Sequence, residues 1–153
     1  MITYYLMALR DLPEVLSLER QCFTEPWSAG MFRDELNSPL SSTVLARDEN
    51  RRLVGFACYW VFLEEMHLMN VAVAKDRRRQ GIGMGLVVEA MKLASAKGAA
   101  SATLEVRSRN VAAVAMYERL GFLREGLRRD YYTDPDDDAV IMWARDMAET
   151  LNN

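Results

Sequence analysis

The chain has 153 residues, half of them hydrophobic and 27% charged, with a net charge of −3. That length suits one domain (1–153) whose core needs no disulfide or metal staple, and the slight acidity argues against bulk binding to nucleic acid or an anionic membrane. One histidine and two cysteines, Cys22 and Cys58, without a Cys-x-x-Cys pair leave no ordinary zinc site, so no metal is expected.

The start, Met1-Ile2-Thr3-Tyr4-Tyr5, has neither the basic stretch nor the apolar run of a secretory signal. The longest uncharged apolar stretch, residues 53–63, falls short of the roughly 20 that span a bilayer. A soluble, cytoplasmic protein with reduced thiols is expected. Residues 3–9 read as a first strand. Asp11 is placed to cap a helix with Leu12, Val15, Leu16, Leu18 and Phe23 on its apolar side. Thr24-Glu25-Pro26-Trp27 ends that helix, because proline disfavours a helical residue before it. Ser28 caps a second, short helix through Asn37, with Met31, Phe32 and Leu36 inward. Residues 43–47 and 53–63 form a hairpin around Asp48-Glu49-Asn50-Arg51, and 66–74 are a further strand. Ile82, Leu86, Val87, Ala90, Met91 and Ala94 recur at helical spacing over 82–97, ended by Gly98. A strand at 102–107, a helix at 111–120 closed by Gly121, and strands near 122–132 and 139–144 complete the chain. This order predicts an α/β (mixed α+β) fold in which helices flank a mixed sheet.

Between the strand ending near Val73 and the helix from Ile82 runs Lys75-Asp76-Arg77-Arg78-Arg79-Gln80-Gly81-Ile82-Gly83-Met84-Gly85. Glycines let backbone N–H groups approach a ligand, a helix start presents unpaired donors, and arginines add positive charge. Such a loop can wrap a pyrophosphate. No Gly-Lys-Ser/Thr follows, so it is not a P-loop. The third glycine comes one place early for a dinucleotide fingerprint. A solvated basic turn before a helix would carry the same residues.

The loop's company narrows the reading. Arg78-x-x-Gly81-x-Gly83 matches the Arg/Gln-x-x-Gly-x-Gly/Ala signature of the GNAT acetyltransferases. Asn70-Val71-Ala72-Val73 precedes it, and Leu104-Glu105-Val106-Arg107 and Asn110 through Tyr117 to Gly121-Phe122 follow. Glu25-Pro26-Trp27-Ser28 and Arg128-Arg129-Asp130-Tyr131-Tyr132 make the chain similar in detail to the bacterial ribosomal-protein-alanine N-acetyltransferases of the RimI type. The likeness runs from Leu9 to Met142. It implies a GNAT fold, with a central mixed six- to seven-stranded sheet and about four helices. It also implies acetyl-CoA as cosubstrate, held by Val71, Ala72, Val73, Arg78, Arg79, Gln80, Gly81, Ile82, Gly83, Met84 and Asn110.

Acetyl transfer to an amine needs a base for the amine proton, stabilisation of the developing oxyanion, and a proton for the leaving thiolate. An α-amine titrates near 7.7–8.0, so a modest base suffices. Glu105 lies on the polar side of its strand, where an exposed glutamate would read the same. The resemblance implies that it is the proton acceptor. Tyr117 lies on the apolar side of its helix like a packed core tyrosine, and the resemblance implies that it is the proton donor. Asn110 suits a helix cap as well as a cofactor contact. The resemblance also implies that backbone N–H groups of Val71 to Val73 meet the oxyanion. His67, upstream on the same strand, is a further candidate for catalysis, although a lone histidine on a strand is more often structural. Neither cysteine is placed for a covalent acetyl-enzyme.

For the acceptor, the resemblance implies Glu25, Trp27, Tyr131 and Tyr132. Trp27 and Tyr131 would serve equally as ordinary packing. Acidic Glu64, Glu65 and Asp136 to Asp138 suit a basic tail, although a run of aspartates is usually a solvated turn. The expected activity is acetylation of a protein N-terminus, that of the N-terminal alanine of a small-subunit ribosomal protein, with no direct nucleic-acid or membrane partner. Two alternatives stand beside it: acetylation of a lysine or small amine, and an acyl-CoA-binding sensor without turnover. The oligomeric state stays open.

Overall fold

A computed structural model describes residues 1–133 and 135–152. Among these residues seven strands hydrogen-bond in the order β1-β2-β3-β4-β5-β7-β6, accompanied by five α-helices. The chain divides into two compact units, Met1–Trp60 with Asn70–Ala90, and Val61–Met69 with the chain from Met91 onward.

In the first unit β1 (Thr3–Leu6) pairs antiparallel with β2 (Ser41–Arg47), and β2 with β3 (Leu53–Phe62). The first strand stops at Leu6, three residues before the expected end. Met7 gives its N–H to the Thr43 carbonyl at 2.8 Å, and the chain then tightens into a 3-10 turn over Leu9–Asp11. Asp11 precedes α1 (Leu12–Cys22) without capping it through its side chain. Pro13, in the first turn, lacks one of the N–H donors a cap would bind. The Asp11 carboxylate instead accepts the Ala8 N–H at 2.8 Å and Arg47 at 3.1 Å. Ser28 does cap α2 (Ala29–Asn37), accepting the Met31 N–H at 3.2 Å. Phe32 is buried and Leu36 partly so, but Met31 is 45% exposed rather than inward. One apolar stripe on so short a helix holds the i, i+4 pair and turns the neighbouring residue outward.

The last two residues of β3 already belong to the second unit, and β4 (Glu65–Val73) and α3 (Ile82–Ala96) also run through both. In the first unit α3 and β4 close tightly over β3 at Gly55. A Cβ there would come within 2.8 Å of both the Ala72 carbonyl oxygen and Leu86 Cδ1.

In the second unit the start of β4 pairs parallel with β5 (Ser101–Arg107), from Glu65↔Ser101 to Leu68↔Leu104, where this register ends. β5 pairs antiparallel with β7 (Asp137–Ala144), and β7 with β6 (Leu123–Tyr132), whose register slips between Arg124 and Gly126. Asn110 caps α4 (Val111–Arg119) by accepting the Ala113 N–H at 3.2 Å. A fifth helix, α5 (Met147–Leu151), was not expected; five residues are too few for periodicity to register. Its start is nonetheless local, since Asp146 accepts the Glu149 N–H at 3.1 Å and Met147 is fully buried. No helix among the described residues is long and apolar enough to cross a membrane.

Candidate active site

In the first unit β4 delivers Asn70 to Val73 and the chain turns at once into the glycine-rich loop. Arg79 and Gly81 hold left-handed backbone angles, φ 65° and 80°. At Gly81 an added Cβ would meet nothing within 4 Å, so the backbone angle, not space, requires glycine. These turns bring the loop directly to the N-terminus of α3, where backbone N–H groups without intrahelical partners suit an anion. The arginines divide the work. Arg77 is tied to Asp48 at 2.9 Å and to Gln80 at 3.0 Å, and Arg52 grips Asp76 at 2.7 and 2.8 Å, so these ion pairs shape the loop. Arg78 reaches back to the Val73 carbonyl at 3.3 Å. Arg78, Arg79, Gln80 and Gly81 are exposed, Ile82 is buried, and Gly83 and Met84 lie between. Six of the expected cofactor residues therefore form one continuous loop-to-helix surface.

In the second unit Glu105 is partly buried on β5. His67 on β4 brings Nε2 to 3.4 Å from the Glu105 carboxylate, and Arg128 lies at 4.0 Å from its other oxygen. The parallel pairing His67↔Thr103 places His67 and Glu105 on the same sheet face, since side chains alternate along a strand. Tyr117 on α4 is 6% exposed and packs edge-on to Phe122 at 5.7 Å. Burial pushes its hydroxyl above the usual tyrosine range, and Tyr132 adds to this. Tyr132 itself is pushed up to about 12, first by burial and then by the charge of Glu105.

The expected acceptor residues differ in exposure. Tyr131 is 48% exposed and meets Tyr132 edge-on at 5.0 Å. Glu25 is exposed. Trp27 is half-buried with its ring 5.2 Å from Phe32, so packing is part of its role. Cys58 is buried, its thiol raised to about 11 by loss of solvent. Cys22 is partly buried and likewise raised, chiefly by burial. Neither forms thiolate readily.

Three residues around these sites take roles that the sequence did not suggest. Glu19 on α1 is 1% exposed and accepts the Trp27 N–H and the Asn70 side-chain amide, each at 2.8 Å. Asp137 is no solvated aspartate. Its buried carboxylate takes the Ser108 hydroxyl at 2.5 Å, the Arg109 N–H at 3.1 Å and the Asp138 N–H at 2.8 Å. Arg107, two places beyond Glu105, donates to the Thr133 and Pro135 carbonyls and lies 4.4 Å from the Tyr132 ring centroid. Most of their partners are distant in sequence, 8 to 51 residues for Glu19, 25 or more for Arg107 and, beside the adjacent Asp138, 28 and 29 for Asp137.

A strand, a glycine-rich left-handed loop opening a helix, and a carboxylate on the next strand together form a recognisable pattern, and comparison decides it. The acetyltransferase (GNAT) family matches residues 12–122. The chain belongs to the GNAT family. This GNAT acetyltransferase is 37% identical over 134 residues to the [ribosomal protein bS18]-alanine N-acetyltransferase of Escherichia coli K12, spanning 86% of this chain and 89% of that one. It is 34% identical over 144 residues to the enzyme of the same description from Salmonella typhimurium LT2, covering 93% and 96%. The crystal structure of the ribosomal-protein-S18-alanine N-acetyltransferase from Escherichia coli superposes with a TM-score of 0.86 at 34% identity, over 94% of this chain and 92% of that one. The GNAT fold expected from the motifs is the one found, and the chain is an N-acetyltransferase. Among its described residues no group of three potential metal ligands gathers.

Proposed function

We propose that this GNAT enzyme, acting as a single domain, transfers the acetyl group of acetyl-CoA to the α-amine of a protein N-terminus, specifically the N-terminal alanine of ribosomal protein bS18. The observation that carries this reading is identity of 34–37% along almost the whole chain to relatives described by that reaction. Retention of Glu105 and Tyr117 in their expected settings supports catalysis rather than mere cofactor binding. A ribosomal acceptor places the reaction in the cytoplasm.

Acetyl-CoA supplies an acyl group activated as a thioester. The N–H groups and arginines of the 78–84 loop hold its pyrophosphate. Glu105, directly or through one water, takes the proton of the attacking amine. Backbone N–H groups of Val71 to Val73 receive the negative charge that builds on the carbonyl oxygen. As the carbon–sulfur bond breaks, Tyr117 gives its proton to the departing sulfur. Its burial keeps that proton in place throughout the working pH range. Glu25, Trp27, Tyr131 and Tyr132 frame the acceptor peptide, with aromatic faces for its chain and polar tips for its backbone.

The test compares initial rates on an alanine-starting bS18 peptide and on the same peptide blocked at its N-terminus but containing lysine. The free N-terminus should be acetylated and the blocked peptide left unmodified, as read by mass spectrometry. Equal rates would overturn the N-terminal assignment. Cofactor binding without acetylated product or free CoA from any peptide would overturn the enzymatic one.

A further inference from the structure

A glutamate 1% exposed within a hydrophobic core is costly unless its oxygens are satisfied. Glu19 is satisfied in an informative way. One carboxylate oxygen accepts the backbone N–H of Trp27, in the loop after α1. The other accepts the side-chain amide of Asn70 on β4, one residue before Val71 to Val73. One turn further along α1, the Cys22 thiol lies 3.5 Å from the Val73 carbonyl. The same face of α1 thus meets β4 at Asn70 and at Val73, and Glu19 also holds the loop assigned to the acceptor.

We propose that Glu19 is a positioning residue that fixes the acceptor loop at Trp27 and the oxyanion strand at Asn70 in one mutual register. It touches no reacting atom. A core built only for stability would be served as well by an apolar side chain, and burying a carboxylate in its place brings no advantage in stability. What a carboxylate adds is two acceptors, splayed at a fixed angle, for donors on two separate segments. The inference rests on the acceptor and oxyanion assignments made above.

The two contacts predict different kinetic consequences. Glutamine at 19 can still offer its one oxygen to Trp27, whose backbone N–H cannot reverse, but presents a donor towards the Asn70 amide. The Asn70 side chain can turn over to receive it. Alanine at 19 loses both ties. Alanine at 70 loses only the strand tie. With acetyl-CoA and the alanine-starting peptide, Glu19→Ala should raise the peptide KM and lower kcat, each by roughly tenfold, the effect of about one charge-assisted hydrogen bond. Asn70→Ala should lower kcat with peptide KM unchanged, and Glu19→Gln should keep the wild-type KM. Combining Glu19→Ala with Asn70→Ala should add nothing further to the kcat loss. Acetyl-CoA affinity by calorimetry should stay within about twofold in all of them, because Glu19 does not touch the 78–84 loop.

The binding stoichiometry from the same titration gives the folded fraction, against which kcat is normalised. The proposal is overturned if normalised kcat and peptide KM of Glu19→Ala equal those of the wild type. It is also overturned if Glu19→Ala and Asn70→Ala show the same KM, since the acceptor tie would then be idle. Should Glu19→Ala fail to fold, Glu19→Gln and Asn70→Ala decide: a raised peptide KM in the former or an unchanged kcat in the latter overturns it. Failure of the wild type itself to acetylate the peptide would count against the proposed function instead, so the two outcomes are distinct.

Discussion

The carboxylates of Glu19 and Asp137 are both buried, 1% and 8% exposed, but the protein solvates them unequally. Asp137 collects a hydroxyl and two backbone N–H groups, and the Ser108 hydroxyl above all holds it below the usual aspartate range. Glu19 collects two donors, which do not offset its burial, and it is raised. The signs of their pH dependence are therefore opposite. For Asp137 the folded value lies below the unfolded one, so its stabilisation is present above the unfolded value and lost as pH falls through the folded one. For Glu19 the folded value lies above, so its contribution is complete below the unfolded value and lost as pH rises through the folded one. Denaturant titrations should show the gap between wild type and Glu19→Gln moving against the wild type as pH rises from about 4 to 7. The gap to Asp137→Asn should shrink on acidification below about pH 4. Parallel slopes for both variants would contradict these assignments.

At the same scale, Glu105→Gln should lower kcat by about 10²–10⁴ while leaving acetyl-CoA binding near wild type, as measured by steady-state rates and calorimetry. Tyr117→Phe keeps the ring against Phe122 and removes only the hydroxyl. It should lower turnover without a comparable loss of thermal stability. An unchanged rate in either variant removes that residue from the mechanism.

Among the elements, α3 and β4 pack closely on β3. A methyl group at Gly55 would press on a backbone oxygen, which cannot rotate away as a side chain does. Gly55→Ala should cost about 1–3 kcal/mol in urea denaturation; an unmoved midpoint would mean that α3 shifts freely on the sheet. Element positions were also where sequence was most readable. The caps Ser28 and Asn110 act on N–H groups three residues away, and the apolar spacing of α3 repeats over four turns, so both signals are local. The failures share a cause. Asp11 resembles a cap until Pro13 withdraws a donor and Arg47, from another strand, claims the carboxylate. Glu19 and Asp137 look like surface residues until partners up to 51 and 29 positions away are brought to them. The loop was legible, and Glu105 and Tyr117 were singled out, because a family motif carries them. The supports around them are chosen by tertiary contacts that no short window contains.

For the molecule as a whole, a bound cosubstrate is a stabilising ligand. Acetyl-CoA at about 100 times its Kd should add about 2.7 kcal/mol, which for a chain of this length raises Tm by about 5–10 °C. Scanning calorimetry with acetyl-CoA present and absent measures it. Arg78→Ala should need a higher concentration for the same rise, and the difference from wild type should narrow as salt is added. No shift at saturating acetyl-CoA would contradict the assignment of the loop.

Arg79 holds a backbone angle of 65°, a region that costs an ordinary L-residue about 1–2 kcal/mol and glycine almost nothing. A library randomised at that codon and selected for folding alone should therefore drift towards glycine or asparagine. Selected for acetyl transfer, the same library should return to arginine. The divergence between the two populations would record how much stability is given up at this one position for the cofactor contact proposed for it.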